Sequence, residues 1–167
     1  DSKKCISYLT IELKGVIPIE FRKAIGNRIY GCDDCQILCP WNSYAVKTDE
    51  PAFKVVDGTF LLTELILMDD EEFRRRFKGS PIKRIKRRGL LRNVAIALGN
   101  SKNREAVPFL IKALEDKEPL IRTHTVWALG ELLLSESIPL LDEKLAAETE
   151  PMVLQELDGL RQRYPVG

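Results

Sequence analysis

Apolar residues in the second half of the chain recur at helical spacing. Leu110 and Leu114 lie one turn apart, and Ile121, Val126 and Leu129 share one side of a second helix, so each helix is expected to bury one stripe. Prolines mark the starts: helices are predicted to begin near Pro108, Pro119, Pro139 and Pro151. Upstream, Asp69–Glu72 put negative charge at the start of a helical segment, Arg74–Lys78 put positive charge at its end, and Gly79 can cap it. Ser80-Pro81 then reads as the N-cap and first residue of a helix running to about Leu98. Residues 1–47 differ, with short apolar stretches such as Ile6–Leu13, much of the Gly and all of the Cys.

The helical pattern repeats. Ala97-Leu98-Gly99 returns as Ala128-Leu129-Gly130 after 31 residues, and Val107-Pro108-Phe109-Leu110 returns as Ile138-Pro139-Leu140-Leu141 after 31. Glu118-Pro119-Leu120-Ile121 returns as Glu150-Pro151-Met152-Val153 after 32. A helix pair with this period implies a stacked α-solenoid in which neighbouring units bury each other's faces. It resembles HEAT-like repeats of the short variety with an Ala-Leu-Gly ending. Only two to two and a half units fit, so the array is expected to lean on the N-terminal region.

Composition adds exclusions. The chain has 167 residues, 44% apolar and 31% charged, which suits one or two ordinary globular domains. No apolar run approaches the ~20 residues that cross a bilayer, so no membrane partner is expected, and the start has no signal-peptide core; the clustered cysteines point to a reducing cytoplasm. The net charge of +1 argues against a polycation or an acidic tail, but it is a cancellation. Residues 1–73 carry 8 basic and 13 acidic side chains, residues 74–104 carry 12 and none, and residues 105–167 carry 6 and 12.

The cysteines sharpen the picture. Cys32-Asp-Asp-Cys35-Gln-Ile-Leu-Cys39-Pro40 is a C-x2-C-x3-C-P run, the last part of the bacterial ferredoxin motif, with Ile29 where the first Cys of that motif falls. Cys5 is the only remaining thiolate. Three Cys in eight residues do not resemble the spread framework of a secreted disulfide domain. A zinc site on four thiolates and unliganded core Cys are the competing readings, but structural zinc draws on two close Cys pairs and Cys5 has no near partner. Iron–sulfur ligation fits the spacing best. The expected fold class is mainly α: a ferredoxin-type Fe–S segment (1–47), a helical connector (48–80) and a short HEAT-like α-solenoid with a basic first helix (81–167).

Ten Lys or Arg lie within residues 74–92. On an unbroken helix from Pro81, Lys83, Arg84, Arg87 and Arg88 fall on one face, Arg92 extends it, and Ile82 and Ile85 point elsewhere. Charge this concentrated repels itself unless a polyanion or an acidic partner meets it, and phosphate backbone is the natural match. A solvated face neutralised by the acidic repeats is the plainer alternative. With no interleaved aromatics, readout by shape and phosphate is expected rather than base stacking. His124, the only His, is expected to be a packed or surface residue, and Trp127 belongs to the repeat core. Trp41 is expected either to shield a cluster or to pack in the ordinary way. No Ser-His-Asp set, P-loop or paired catalytic carboxylates can be argued.

Together these residues resemble the C-terminal portion of the epoxyqueuosine reductase family. The matching stretches are Cys5-Ile-Ser-Tyr-Leu-Thr-Ile-Glu12, Gly26-Asn-Arg-Ile-Tyr-Gly-Cys-Asp-Asp-Cys35, Cys39-Pro-Trp-Asn42, Gly79-Ser-Pro-Ile-Lys-Arg84 and Lys86-Arg-Arg-Gly-Leu-Leu-Arg-Asn93, followed by the HEAT-like units. The resemblance implies an oxidoreductase that reduces the epoxide of epoxyqueuosine in tRNA, using cobalamin and two [4Fe–4S] clusters. It implies that Cys5, Cys32 and Cys35 ligate one cluster and Cys39 the other, with the remaining thiolates upstream. Ser7 and Asp33, beside Cys32, fall where the family contacts cobalamin. Lys83, Arg84, Lys86, Arg87, Arg88 and Arg92 would grip tRNA phosphates. The implied partners are tRNA, an N-terminal cobalamin-binding half and an external electron donor. The stretch given lacks the family's first Cys motif and its cobalamin domain, so by itself it is expected to be an incomplete, inactive fragment. A non-enzymatic, metal-stapled HEAT scaffold for nucleic acid or an acidic protein is the alternative from another class. A stand-alone ferredoxin-like carrier is a third, but it has no need of the basic helix.

Overall fold

The computed structural model describes residues 1–46, 48–51 and 61–165, so part of the expected connector, residues 52–60, lies outside the described residues. The described residues are helical, with no strand: α1 (Ile19–Ile25), α2 (Asp34–Ile37), α3 (Leu62–Leu65), α4 (Asp70–Arg76), α5 (Lys86–Asn100), α6 (Val107–Ala113), α7 (Pro119–Leu133), α8 (Ser137–Lys144) and α9 (Pro151–Arg163). Single turns at Ser2–Lys4, Tyr8–Glu12, Pro40–Tyr44 and Pro81–Ile85 join them on the N-terminal side. The mainly α expectation holds, and no helix among the described residues is long and apolar enough to cross a membrane.

Local chemistry sets the helix starts. Pro119 and Pro151 occupy the first turns of α7 and α9, where a missing N–H costs nothing. Asp69 caps α4 by accepting from the Glu72 N–H at 2.7 Å, and Gly79 takes φ +78° in the turn beyond it. The two solenoid units are α6–α7 and α8–α9, and α5 is the inner helix of a preceding layer. The inner helices stack in the order α5, α7, α9.

Glycine allows this approach. A Cβ on Gly99 would stand 2.8 Å from Trp127 Cζ3 and 2.9 Å from the Ala128 Cα, and one on Gly130 would strike the Leu160 side chain. The Ala-Leu-Gly ending is therefore the place where successive inner helices touch. An ion pair repeats with the layers: Arg87 of α5 meets Asp116 before α7, and Arg122 of α7 meets Glu148 before α9. Asp116 and Glu148 also accept the backbone N–H of Glu118 and Glu150, so each acid pins the turn that launches the next inner helix.

Two expectations are corrected here. The helix from Pro81 is not continuous: a single turn, Pro81–Ile85, ends at Lys86, whose φ is +59°, and α5 starts a new axis there. The Ser80 hydroxyl accepts from the Ile82 N–H and the Tyr30 hydroxyl donates to the Pro81 carbonyl, which holds that turn apart from α5. A non-glycine residue in this region costs on the order of 1–3 kcal/mol, which the buried Ile85 beside it and the packing of α5 offset. Secondly, α5 and α7 do not bury one stripe. Residues 89–99 of α5 and all of 123–130 of α7 are buried, because each is sandwiched between other helices and the N-terminal segment. The single stripe survives on α6, as Leu110, Ala113 and the adjoining Leu114, and on the terminal helix α9, as Val153, Leu157 and Leu160.

Polar side chains tie the N-terminal segment to the inner helices alongside its buried Leu9, Ile17 and Ile25. Arg22 of α1 donates to both oxygens of Glu156 in α9, at 2.7 and 2.8 Å, and lies over the Trp127 ring at 5.6 Å. Asn100 donates to the carbonyls of Arg22 and Gly26. His124 is fully buried; its Nδ1 meets the Leu120 carbonyl and its Nε2 accepts from Ile17. One apolar core runs from Leu9 through Leu65 and Leu98 to Leu160, joining all three sequence regions.

Candidate functional site

The four thiols are all free and none is fully buried. Cys5 follows the first single turn, Cys35 sits in the short helix α2, and Cys39 precedes the Pro40 turn. Among the described residues no three Cys, His, Asp or Glu groups converge on a point that could hold a metal ion. The donor set has the chemistry of iron–sulfur ligation, thiolates on irregular backbone, and the described residues do not gather it into a closed site.

The thiols open onto different surfaces. Cys32 lines a depression of about 440 Å³ with Ser7, Ile11, Arg28, Tyr30, Gly31 and Asp33. The structure therefore brings Ser7 and Asp33 together beside Cys32, although 26 residues separate them in sequence. Cys39 faces another depression, lined by Gln36, Ile37, Leu38, Pro40, Asn42 and Ser43. Around it Ile37, Leu38, Trp41, Tyr44 and Val46 are strongly exposed apolar or aromatic side chains. Trp41 does not pack into the core; its ring lies 6.3 Å from that of Tyr44.

Arg28 was not visible as a site residue from sequence. Its guanidinium donates twice to Asp34 at 2.8 Å, which raises its pKa, and it also interacts with the Cys32 thiol. A permanent cation thus borders the depression on the side of Cys32.

The basic block divides in two. Lys83, Arg84, Lys86 and Arg88 are exposed, and Arg84 pairs with Glu12 at 2.6 Å. Lys83, Lys86 and Arg88 have no ion-pair partner within 4.0 Å among the described residues, so they present uncompensated positive charge at the surface. Arg87 and Arg92, expected on the same face, are turned inward. Arg87 pairs with Asp116 and donates Nε to the Met68 carbonyl at 2.7 Å. Arg92 is 1% exposed and donates to the carbonyls of Leu13, Gly15 and Leu9 at 2.7–2.9 Å. Burial, then the charge of Arg88, pull its pKa down to about 10, and it stays protonated at neutral pH. The break at Lys86 explains the split: it changes the register of everything after it, so the face drawn through an unbroken helix does not exist.

Asn93, next to Arg92, was also missed. It is fully buried; its Nδ2 donates to the carbonyls of Thr10 and Ile29, at 2.8 and 2.9 Å, and its Oδ1 accepts from Arg92 Nε at 3.0 Å. The available signal was a polar pair inside the apolar run from Gly89 to Leu98, with no surface periodicity to explain it.

Comparison with known proteins bears on each region. Residues 1–42 match the 4Fe-4S double cluster binding domain family, and residues 87–161 match HEAT repeats. An epoxyqueuosine reductase of Xanthomonas campestris pv. campestris is 47% identical over 137 residues, 78% of this chain and 38% of the relative. The epoxyqueuosine reductase of Escherichia coli K12 is 44% identical over 134 residues, 78% of this chain and 35% of the relative. A crystal structure of epoxyqueuosine reductase with an epoxyqueuosine-modified tRNA-Tyr stem loop superposes with a TM-score of 0.86 at 31% identity, covering 97% of this chain and 44% of that one. The chain thus spans a little over a third of the length of the curated relatives.

Proposed function

We propose that this chain, a homologue of the epoxyqueuosine reductases over most of its length, is the cluster-ligating and tRNA-docking portion of an enzyme that converts epoxyqueuosine in tRNA to queuosine. The observation that carries the reading is the match of residues 1–42 to a double-cluster domain, in a chain whose four thiols are free and lie outside the core. Cys5, Cys32 and Cys35 would hold one [4Fe–4S] cluster and Cys39 would contribute to the second, with the other thiolates supplied by sequence outside these residues. When bound, the clusters supply one-electron transfer and cobalamin supplies the centre at which the epoxide is reduced.

The chain's own residues position and bind. Arg28 sets a fixed positive charge beside Cys32, and Ser7 and Asp33 present polar groups to the depression where cobalamin would be met. The apolar surface around Cys39 would close against the cobalamin-binding half, excluding water from the cluster it completes. Lys83, Lys86 and Arg88, with Arg84 released from Glu12, would hold tRNA phosphates as the modified base is delivered. An external donor would supply the electrons.

The test is anaerobic reconstitution of the full-length protein with iron and sulfide, then cobalamin. Brown visible absorbance that bleaches with dithionite, and disappearance of epoxyqueuosine from tRNA by nucleoside mass analysis, are the expected results. Tight zinc without iron, and tRNA left unmodified, would sink the reading in favour of a metal-stapled scaffold.

A further inference from the structure

The segments that carry Cys5 and Cys32 are held together by very few polar contacts. Thr10 Oγ1, in the turn after Cys5, donates to the Ile6 carbonyl at 2.8 Å and accepts the Gly31 N–H at 3.0 Å. Gly31 has φ +78°, so the chain enters Cys32 through a backbone conformation that the Thr10 hydroxyl helps to hold. The second bridge is Asn93 of α5: one carboxamide nitrogen spans the carbonyls of Thr10 and Ile29, one in each segment. Arg92 completes the clamp by taking three carbonyls from residues 9–15 and donating Nε to Asn93 Oδ1. All three hydrogen-bonding functions of the Asn93 amide are used, in a site sealed from water.

We infer that Asn93 is a positioning residue of the iron–sulfur site: its carboxamide sets the separation between the Cys5 segment and the Cys32 loop, and so the geometry at which these two thiolates meet iron. The inference rests on the cluster reading proposed above. An apolar side chain of similar size would leave the Thr10 and Ile29 carbonyls, one in each cysteine segment, without their donor. Asn100 provides a matched comparison one heptad along the same helix. Its amide likewise donates to two carbonyls, but to those of Arg22 and Gly26 in and after α1, in neither cysteine segment.

The experiment compares the reconstituted full-length protein with its Asn93→Leu, Thr10→Val, Thr10→Ser and Asn100→Leu variants. Thermal melting, iron content, the electron paramagnetic resonance line shape of the dithionite-reduced protein and the reduction midpoint are read for each. Asn93→Leu and Thr10→Val are expected to shift the midpoint and alter the line shape of one cluster. Thr10→Ser, which keeps the hydroxyl, is expected to restore both. Asn100→Leu is expected to lower the melting temperature without moving either. Thr10→Val keeps the test open if Asn93→Leu does not fold, since it removes only the hydroxyl's bonds. Variants at Asn93 and Thr10 that melt lower yet keep wild-type line shape and midpoint would overturn the inference while leaving the cluster reading intact. Wild-type protein that takes up no iron would overturn the reading beneath it, and the inference with it.

Discussion

The backbone N–H of Ile17 donates to Nε2 of His124 at 3.1 Å, across 107 residues of sequence. That bond needs an unprotonated Nε2, and Nδ1 is already engaged with the Leu120 carbonyl. Burial, with the charge of Arg22 adding to it, pushes the His124 pKa well below 6.5. The unfolded chain therefore takes up the proton first as pH falls. The contribution of His124 to stability is complete above about pH 6.5 and is lost below it, by up to about 1.4 kcal/mol per pH unit. The carboxylates held low by partners, Glu148 by Arg122 and Asp70 by Lys117, act only below 4.5 and 3.8. Urea unfolding between about pH 7 and about pH 5 should show the slope, and His124→Gln should flatten it. An equal slope in the variant would refute the assignment.

The two classes of basic residue should separate in a salt titration of tRNA binding. Neutralising Lys83, Lys86 and Arg88 to Gln should lower the slope of log affinity against log salt by about 1 per residue, with melting unchanged. Arg92→Gln should instead lower stability by about 3 kcal/mol or more, because it strips buried carbonyls of their donor. Arg87→Gln strands Asp116 and should cost about 3–5 kcal/mol. A reduced salt slope at unchanged melting for Arg87 or Arg92 would show that these two reach phosphate after all.

Serine substitution of single cysteines in the full-length protein tests the sharing of ligands. Cys35→Ser should remove or convert one cluster, about four iron atoms, and Cys39→Ser should affect the other. Iron analysis with electron paramagnetic resonance of the reduced protein distinguishes the two. Loss of the same signal in both variants would mean that the thiols serve a single cluster.

Glycine substitutions test the solenoid contacts. Gly99→Ala should be net destabilising by about 1–2 kcal/mol, since the Ala128 backbone and Trp127 ring leave no room for a methyl group and its helix-propensity gain is smaller. Gly159→Ala in α9 meets nothing within 4 Å and should stabilise by up to about 1 kcal/mol. Chemical denaturation of both variants checks the sign of each.

Much of the fold was legible in the sequence because its signals are local. Pro119 and Pro151 mark helix starts wherever the helix packs, Asp69 and Ser80 cap by contacts within three residues, and the near-31-residue period survives any detail of packing. The cysteine run was legible for the same reason, as a spacing of ligands along a short loop. What misled was the helical wheel. It assumes one axis, and Lys86 breaks the axis; it also treats a charged side chain as facing solvent, although a guanidinium can be held inside by three carbonyls.

Sequence alone determined the class of architecture and the chemistry available: helical repeats, a thiolate run and a concentration of positive charge. Those depend on residue type and near-neighbour spacing. Only the tertiary structure decided which charges are free. Arg88 stays at the surface while Arg87 and Arg92 turn inward, because unpaired carbonyls of residues 9–15 and 68 and the carboxylate of Asp116 arrive from distant parts of the chain. Tertiary structure likewise set Ser7 beside Asp33, and Asn93 between the two cysteine segments. The demand of a buried backbone for hydrogen-bond partners is a property of the packed whole, and no window of sequence contains it.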